Sequence, residues 1–281
     1  MPVFFHPPIT GDSSVLVQGS VSLTLFLTLN ARSAKRDPQV KSQLLPVMLA
    51  ACIAGGLGLI ASTLHLGYPL NAFNALRHVA SSWLSREIVF ASLYLAVLGL
   101  CTLIMLVKKQ LVSILLPVAA LLGLIDVWCM SAIYANSSVV TWTHFNTWLM
   151  FYGTVGISGA VALAWLAPGK TPCVASGGKP ALRLAGALVV AIVAIRLLAQ
   201  PEYMSYLAST RLSGIVTLPH RPLDAFNQLS GLRLFTWIIS TLGAILFALS
   251  AWRCRRAGLV VASLFLVASE VLFRFIFFSI H

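Results

Sequence analysis

The sequence predicts an all-α integral membrane protein: eight transmembrane helices forming one domain over residues 1–281, with both termini outside the cytoplasm. Three observations carry this. Hydrophobic residues make up 59% of the chain and charged residues only 9%, with a mean hydropathy of +0.92, far outside the soluble globular range. Apolar stretches of about 20 residues, enough to cross a ~30 Å hydrocarbon core, recur eight times and use most of the chain. The basic residues are segregated into alternate connections. An excess of 19 Lys+Arg over 7 Asp+Glu would suggest nucleic acid in a soluble protein. Here topology explains it, so the expected surroundings are a lipid bilayer and no nucleic acid.

The first span covers 14–30. Its apolar run and the small residues of ARSA resemble a cleaved signal, but no positive charge precedes it, whereas Arg32, Lys35, Arg36 and Lys41 follow. A cleaved signal has the reverse order, so 14–30 is read as a spanning helix. The second span, 44–64, carries the small-residue pattern AxxxGGLG from Ala51 to Gly58, which allows close helix approach. The third, 87–107, ends at the tight turn of Lys108 and Lys109. The fourth, 111–134, holds Asp126 about 22 Å along its length. The fifth, 146–167, reads GTVGISGA from Gly153 to Ala160. The sixth, 181–200, contains Arg196; the seventh, 231–252, follows Asp224 and begins near Arg233; the eighth, 257–278, contains Glu270 and Arg274. Within the spans Pro occurs only at Pro46 and Pro117, each in a first turn, where a missing N–H costs little. Helices broken at mid-membrane, as in many transporters, are not expected.

Charge sets the orientation. The connections after the first, third, fifth and seventh spans hold twelve of the nineteen basic residues against one acid, Asp37. The positive-inside rule assigns them to the cytoplasm. All six histidines, including His65, His78 and His144, fall on the opposite side or at its boundary, and Asp126, Arg196, Glu270 and Arg274 all lie toward that side too. Snorkelling to headgroups explains an arginine singly. It explains neither Asp126 nor Glu270, and ionisable residues inside a membrane are costly and usually functional. Glu270 and Arg274, four apart, share one helix face. Five cysteines are scattered with no C-x-x-C, which argues against an iron–sulfur or structural zinc framework. Bis-histidine haem ligation has one candidate pair, His65 with His144, and it is the weaker reading.

The richest stretch is GLIASTLHLGYPLNAFNALRHVASSWLSRE, from Gly58 to Glu87. His65 stands where the second apolar run stops, and Gly67 and Pro69 break the helix. Asn71, Asn74, Arg77, His78, Arg86 and Glu87 follow, with Phe73 and Trp83 interleaved as interfacial rings. A plain connecting loop needs none of this chemistry.

This stretch, read as IASTLHLGYPLNAFNALRHVASSWLSREI from Ile60 to Ile88, resembles the membrane anchor subunit of the bacterial dimethyl sulfoxide reductase family. Val140-Thr141-Trp142 and the closing Glu270, Arg274 and His281 add weaker echoes. The resemblance implies an eight-helix anchor in the bacterial inner membrane with periplasmic termini. It also implies two partners, a four-cluster iron–sulfur subunit and a molybdopterin catalytic subunit. In that family the anchor binds menaquinol near the periplasmic face, and His65 and Glu87 occupy the positions tied to its oxidation. Ser62, Arg77, Arg86, Glu270 and Arg274 are further candidates for binding the quinol. Menaquinol is then the bound substrate, and no haem or iron–sulfur cluster is expected in this chain.

The chemistry agrees. Quinol oxidation removes two protons and two electrons, and His is suited to accept protons near neutral pH. A carboxylate such as Glu87 can orient the imidazole or relay the proton. The outer loops 65–86, 135–146 and 201–230 are the expected docking surface for the iron–sulfur subunit, with Trp142 as an anchor and Arg77, Arg86, Arg211 and Arg221 for its carboxylates. The rival reading is a stand-alone transporter using Asp126, Glu270 and Arg274 as an internal relay. It predicts charges near mid-membrane, against the one-sided distribution.

Overall fold

The computed structural model describes residues 7–34, 38–64, 74, 76–166, 178–209 and 222–280. Ten α-helices run through them: α1 Pro7–Ala34, α2 Pro38–Leu64, α3 Trp83–Lys108, α4 Leu115–Ala135, α5 Asn146–Leu166, α6 Gly178–Leu198, α7 Gln200–Ser209, α8 Pro222–Gln228, α9 Ser230–Arg253 and α10 Arg256–Ser279. Among the described residues eight stretches of helix are long and apolar enough to cross a membrane, and they match the eight predicted spans in order. The protein is a multi-pass, all-helical membrane protein.

Two boundaries differ from expectation. Ser82 caps α3 with its hydroxyl accepting from the Ser85 N–H, so the helix begins at Trp83 rather than at 87. Glu87 therefore sits in the second turn, not the first. Hydropathy alone delays the start because Ser85, Arg86 and Glu87 dilute the apolar window. Likewise α2 begins at Pro38, so Pro46 is inside the helix although it opens the apolar span, which starts at Leu44.

The N-terminal span is the hub. α1 packs against α2, α4, α5 and α10. Its hydroxyls reach three neighbours: Ser20 donates to the Ala51 carbonyl at 2.6 Å, Ser20 and Thr24 hold the Tyr94 hydroxyl at 2.6 and 2.9 Å, and Ser22 donates to the Val155 carbonyl at 2.7 Å. Such bonds between spans stabilise where no water competes. A Cβ added at Gly55 would stand 2.6 Å from Leu95 and 2.7 Å from Ser20. That glycine lets α2 close on α1 and α3, as the small-residue pattern anticipates.

Two apolar cores share α5 and α10. The larger draws on α1 to α5 and α10 around Leu27, Met48, Leu98, Leu116 and Phe151. The second packs α5, α6, α9 and α10 around Val189, Phe247 and Leu266. A small cluster of Tyr203, Leu207, Phe226, Ile276 and Ile280 joins α7 and α8 to the end of α10.

The two ends of the bundle differ. At one end Lys108, Lys109, Arg253, Arg255 and Arg256 are exposed, and the turn into α10 is closed by Cys254 in the left-handed conformation, φ 53°. The other, the Trp142 end, carries the starts of α3 and α5, the segment 136–145, α7, α8 and the C-terminal turn. Eight crossings return the polypeptide to the end at which it starts.

Candidate functional site

The Trp142 end is tied together by residues of its connecting segments. The Trp142 indole N–H donates to the Phe277 carbonyl at 2.8 Å, and its ring stacks on Phe277. The Thr141 hydroxyl donates to the Ile280 carbonyl at 2.6 Å, and the Tyr203 hydroxyl donates to the Thr141 carbonyl at 2.7 Å. Trp142 is thus committed to α10 of its own subunit, whereas the sequence alone offers it to a partner. His144 is half-buried, accepts from the Asn146 N–H at 3.1 Å and lies 4.9 Å from the Tyr206 ring. Burial lowers its pKa below the ordinary histidine value, against a smaller opposing pull from Glu202.

At the same end a 3-10 turn, Leu76–His78, leads into the capped start of α3. Arg77 and His78 are exposed beside it. Arg86 reaches back, donating to the Val79 carbonyl at 2.9 Å and the Ala80 carbonyl at 2.6 Å, with its guanidinium 4.3 Å from the centre of the Trp83 ring. It staples the connection to the helix. Glu87 is half-buried one residue further on, within electrostatic reach of Asp126, Cys129 and Tyr134 of α4. Ser62 is half-buried near the end of α2. His65, with Gly67, Pro69, Asn71 and Phe73, lies outside the described residues, and so do Arg211, Arg221 and His281.

Glu270 and Arg274 belong to a different centre. Glu270 pairs with Arg196 of α6 in a bidentate bridge, at 2.6 Å from Nη1 to Oε1 and 3.2 Å from Nη2 to Oε2. The Thr154 hydroxyl donates to the same carboxylate, and Arg196 also donates to the Leu149 and Met150 carbonyls. Arg274 donates to the Gln18 amide oxygen at 2.8 Å and lies 4.1 Å over the Phe151 ring. The pair is 1% and 4% exposed, so Arg196 does not snorkel. Gly153 makes room for it, since an added Cβ would stand 2.5 Å from the guanidinium. The sequence places these charges on one side of the membrane but does not pair them. Gln18 and Thr154 escape it because a polar residue in a span is too common a signal.

Beside Arg196 a cleft of about 510 Å³ opens on the flank of the bundle, lined by Trp128, Phe145, Trp148, Tyr152 and Gly153. It too is not anticipated by the sequence, because its walls come from three helices. Asp126, by contrast, is fully buried, and neither carboxylate oxygen has a hydrogen-bond partner among the described residues. Among those residues no three His, Cys, Asp or Glu gather as a metal site would require.

Eight apolar crossings, buried ionisable groups in several spans and a polar cap at one end define a polytopic membrane subunit rather than a soluble catalyst. The protein belongs to the DMSO reductase anchor subunit (DmsC) family, whose model matches residues 13–280. It is 34% identical over 189 residues to the C chain of the anaerobic dimethyl sulfoxide reductase of Haemophilus influenzae, an overlap of 65% of this sequence and 66% of that one. It is 27% identical over 279 residues to the anaerobic dimethyl sulfoxide reductase chain YnfH of Escherichia coli, an overlap of 95% and 92%. It is 36% identical over 140 residues to the C chain of the anaerobic dimethyl sulfoxide reductase of the same organism, an overlap of 48% and 49%. The match thus spans just under two thirds of the length of the first of these and about half of the third. No solved structure matches the protein.

Proposed function

We propose that this subunit anchors a reductase complex in the bacterial inner membrane and oxidises menaquinol near the periplasmic face. Electrons pass to a four-cluster iron–sulfur subunit docked on the Trp142 end, and from it to a molybdopterin catalytic subunit. Family membership supports the anchoring and the partners. The exposed basic residues at the opposite end support the orientation, with both termini periplasmic.

The observation that carries the quinol reading is the position of Glu87. It stands half-buried in the second turn of α3, at the close of the stretch that resembles the family's quinol segment. A quinol head there meets a carboxylate able to accept a hydroxyl proton, and His65 supplies a second acceptor. The apolar flanks of the spans accommodate the isoprenoid tail. Arg86 keeps the connection folded against α3.

The test is the purified three-subunit complex with a menaquinol analogue, compared with the two partner subunits alone. The full complex should oxidise the quinol; the partners alone should accept electrons from dyes only. Equal quinol oxidation without the anchor would remove the quinol site from it.

A further inference from the structure

Asp126 lies on α4 in the same setting as Gly123, one turn away. A Cβ on Gly123 would stand 2.7 Å from Val21 and 3.2 Å from Tyr94, so this face of α4 looks into the seam between α1 and α3. Counted inward from the Trp142 end, Glu87 is about 6 Å along α3, Asp126 about 14 Å along α4 and Tyr94 about 16 Å along α3. Asp126 is therefore stationed between Glu87 and Tyr94 in depth, and it interacts electrostatically with both. α1 runs opposite to α4, which brings Gln18, one turn from Val21, to the level of Asp126. The Gln18 amide nitrogen is likewise buried with no partner among the described residues.

A buried carboxyl without a hydrogen-bond donor must be neutralised, by a cation or by a proton. Among the described residues no cation pairs with Asp126: Arg196 is bridged to Glu270, and Arg274 gives one Nη to Gln18 and lies over the Phe151 ring, its other Nη without a partner. A proton remains. Two carboxylates in a low-dielectric seam do not ionise together, because each opposes the other's charge.

We propose that Asp126 and Glu87 act as one proton-holding pair in quinol oxidation. The pair rests with one proton and one negative charge. A quinol O–H bond breaks, its proton adds to the charged carboxyl, and the electron pair passes to the partner's iron–sulfur clusters. The pair is then neutral with two protons, and it releases one to water at the Trp142 end before the second hydroxyl proton follows. Glu87 touches the quinol and Asp126 works through it, as a positioning residue. Gln18 offers its free N–H to hold water between them. The other groups facing the pair are Tyr94 of α3, Cys129 and Tyr134 of α4, and Arg86. This inference rests on the menaquinol reading above.

The experiment uses the assembled complex with Asp126→Asn, Asp126→Glu, Glu87→Gln and the double variant Glu87→Gln/Asp126→Asn. Dye-driven activity reports assembly. Asp126→Asn should lower menaquinol turnover tenfold or more, Asp126→Glu should keep most of it, and the double variant should be no worse than the poorer single one, since groups acting as a unit are not additive. Infrared difference spectra on quinol oxidation should show a protonated-carboxyl band that both Glu87→Gln and Asp126→Asn remove. Asp126→Asn turnover within twofold of wild type, or an unchanged band, would overturn the pair while leaving the quinol reading intact. A wild-type complex that leaves menaquinol unoxidised would overturn the quinol reading itself.

Discussion

Arg196 of α6 and Glu270 of α10 hold each other in a bidentate bridge with 1% and 4% of their side chains exposed. Removing one partner leaves the other charge buried and alone, a loss of about 3–5 kcal/mol. Glu270→Ala and Arg196→Ala should therefore each cut the thermal stability of the purified complex sharply, and Gly153→Leu, which crowds the guanidinium, should do the same in milder form. Detergent melting curves measure this. A variant complex that melts with the wild type would mean the bridge is not maintained in the membrane.

Orientation follows from charge alone. Reporter fusions after Lys41, Lys109, Gly177 and Arg256 should report cytoplasm, and fusions near Ala75, Ser137 and Leu218 periplasm. A cytoplasmic signal from Ala75 would reverse the bundle and take the quinol site to the wrong face.

His65→Arg should abolish menaquinol turnover while dye-driven activity and membrane attachment stay normal. Arg keeps bulk and donors but stays charged and accepts no proton. Glu87→Gln should do less damage, because it keeps the shape and loses only the charge. Unimpaired quinol oxidation by the His65→Arg complex would put another residue at the centre.

His144 carries a pH dependence. Its folded pKa is depressed by burial, so below the ordinary value of 6.5 the folded protein binds fewer protons than the unfolded one. The packing of the segment around it is at full stability above that pH and loosens as pH falls through it. Hydrogen exchange of the segment 141–147 should therefore quicken as the pH is lowered from neutral into the mildly acidic range, and His144→Gln, which keeps an acceptor for the Asn146 N–H, should remove that trend. An identical trend in the variant would assign it to another group.

The spans are legible in the sequence because a bilayer demands about 20 apolar residues each, and eight such runs are hard to misread. Their ends are less so. The start of α3 depends on the Ser82 cap, which hydropathy does not see. Chemistry is legible where polar residues crowd a segment, as from Gly58 to Glu87, and where charge interrupts a span, as at Asp126 and Glu270. Pairing is not. Arg196 and Glu270 are 74 residues apart, and only the close packing of α5 with α6 and α10 brings them together. The flank cleft is invisible for the same reason.

The central place of α1 bears on how the protein is made. Gln18 finds its bond to Arg274 only after a further 256 residues have been synthesised. Until then its amide must be sheltered by the insertion machinery or by water at the translocon. A bundle built around α1 cannot be assembled strictly in order of emergence: α1 waits, open, until α10 arrives.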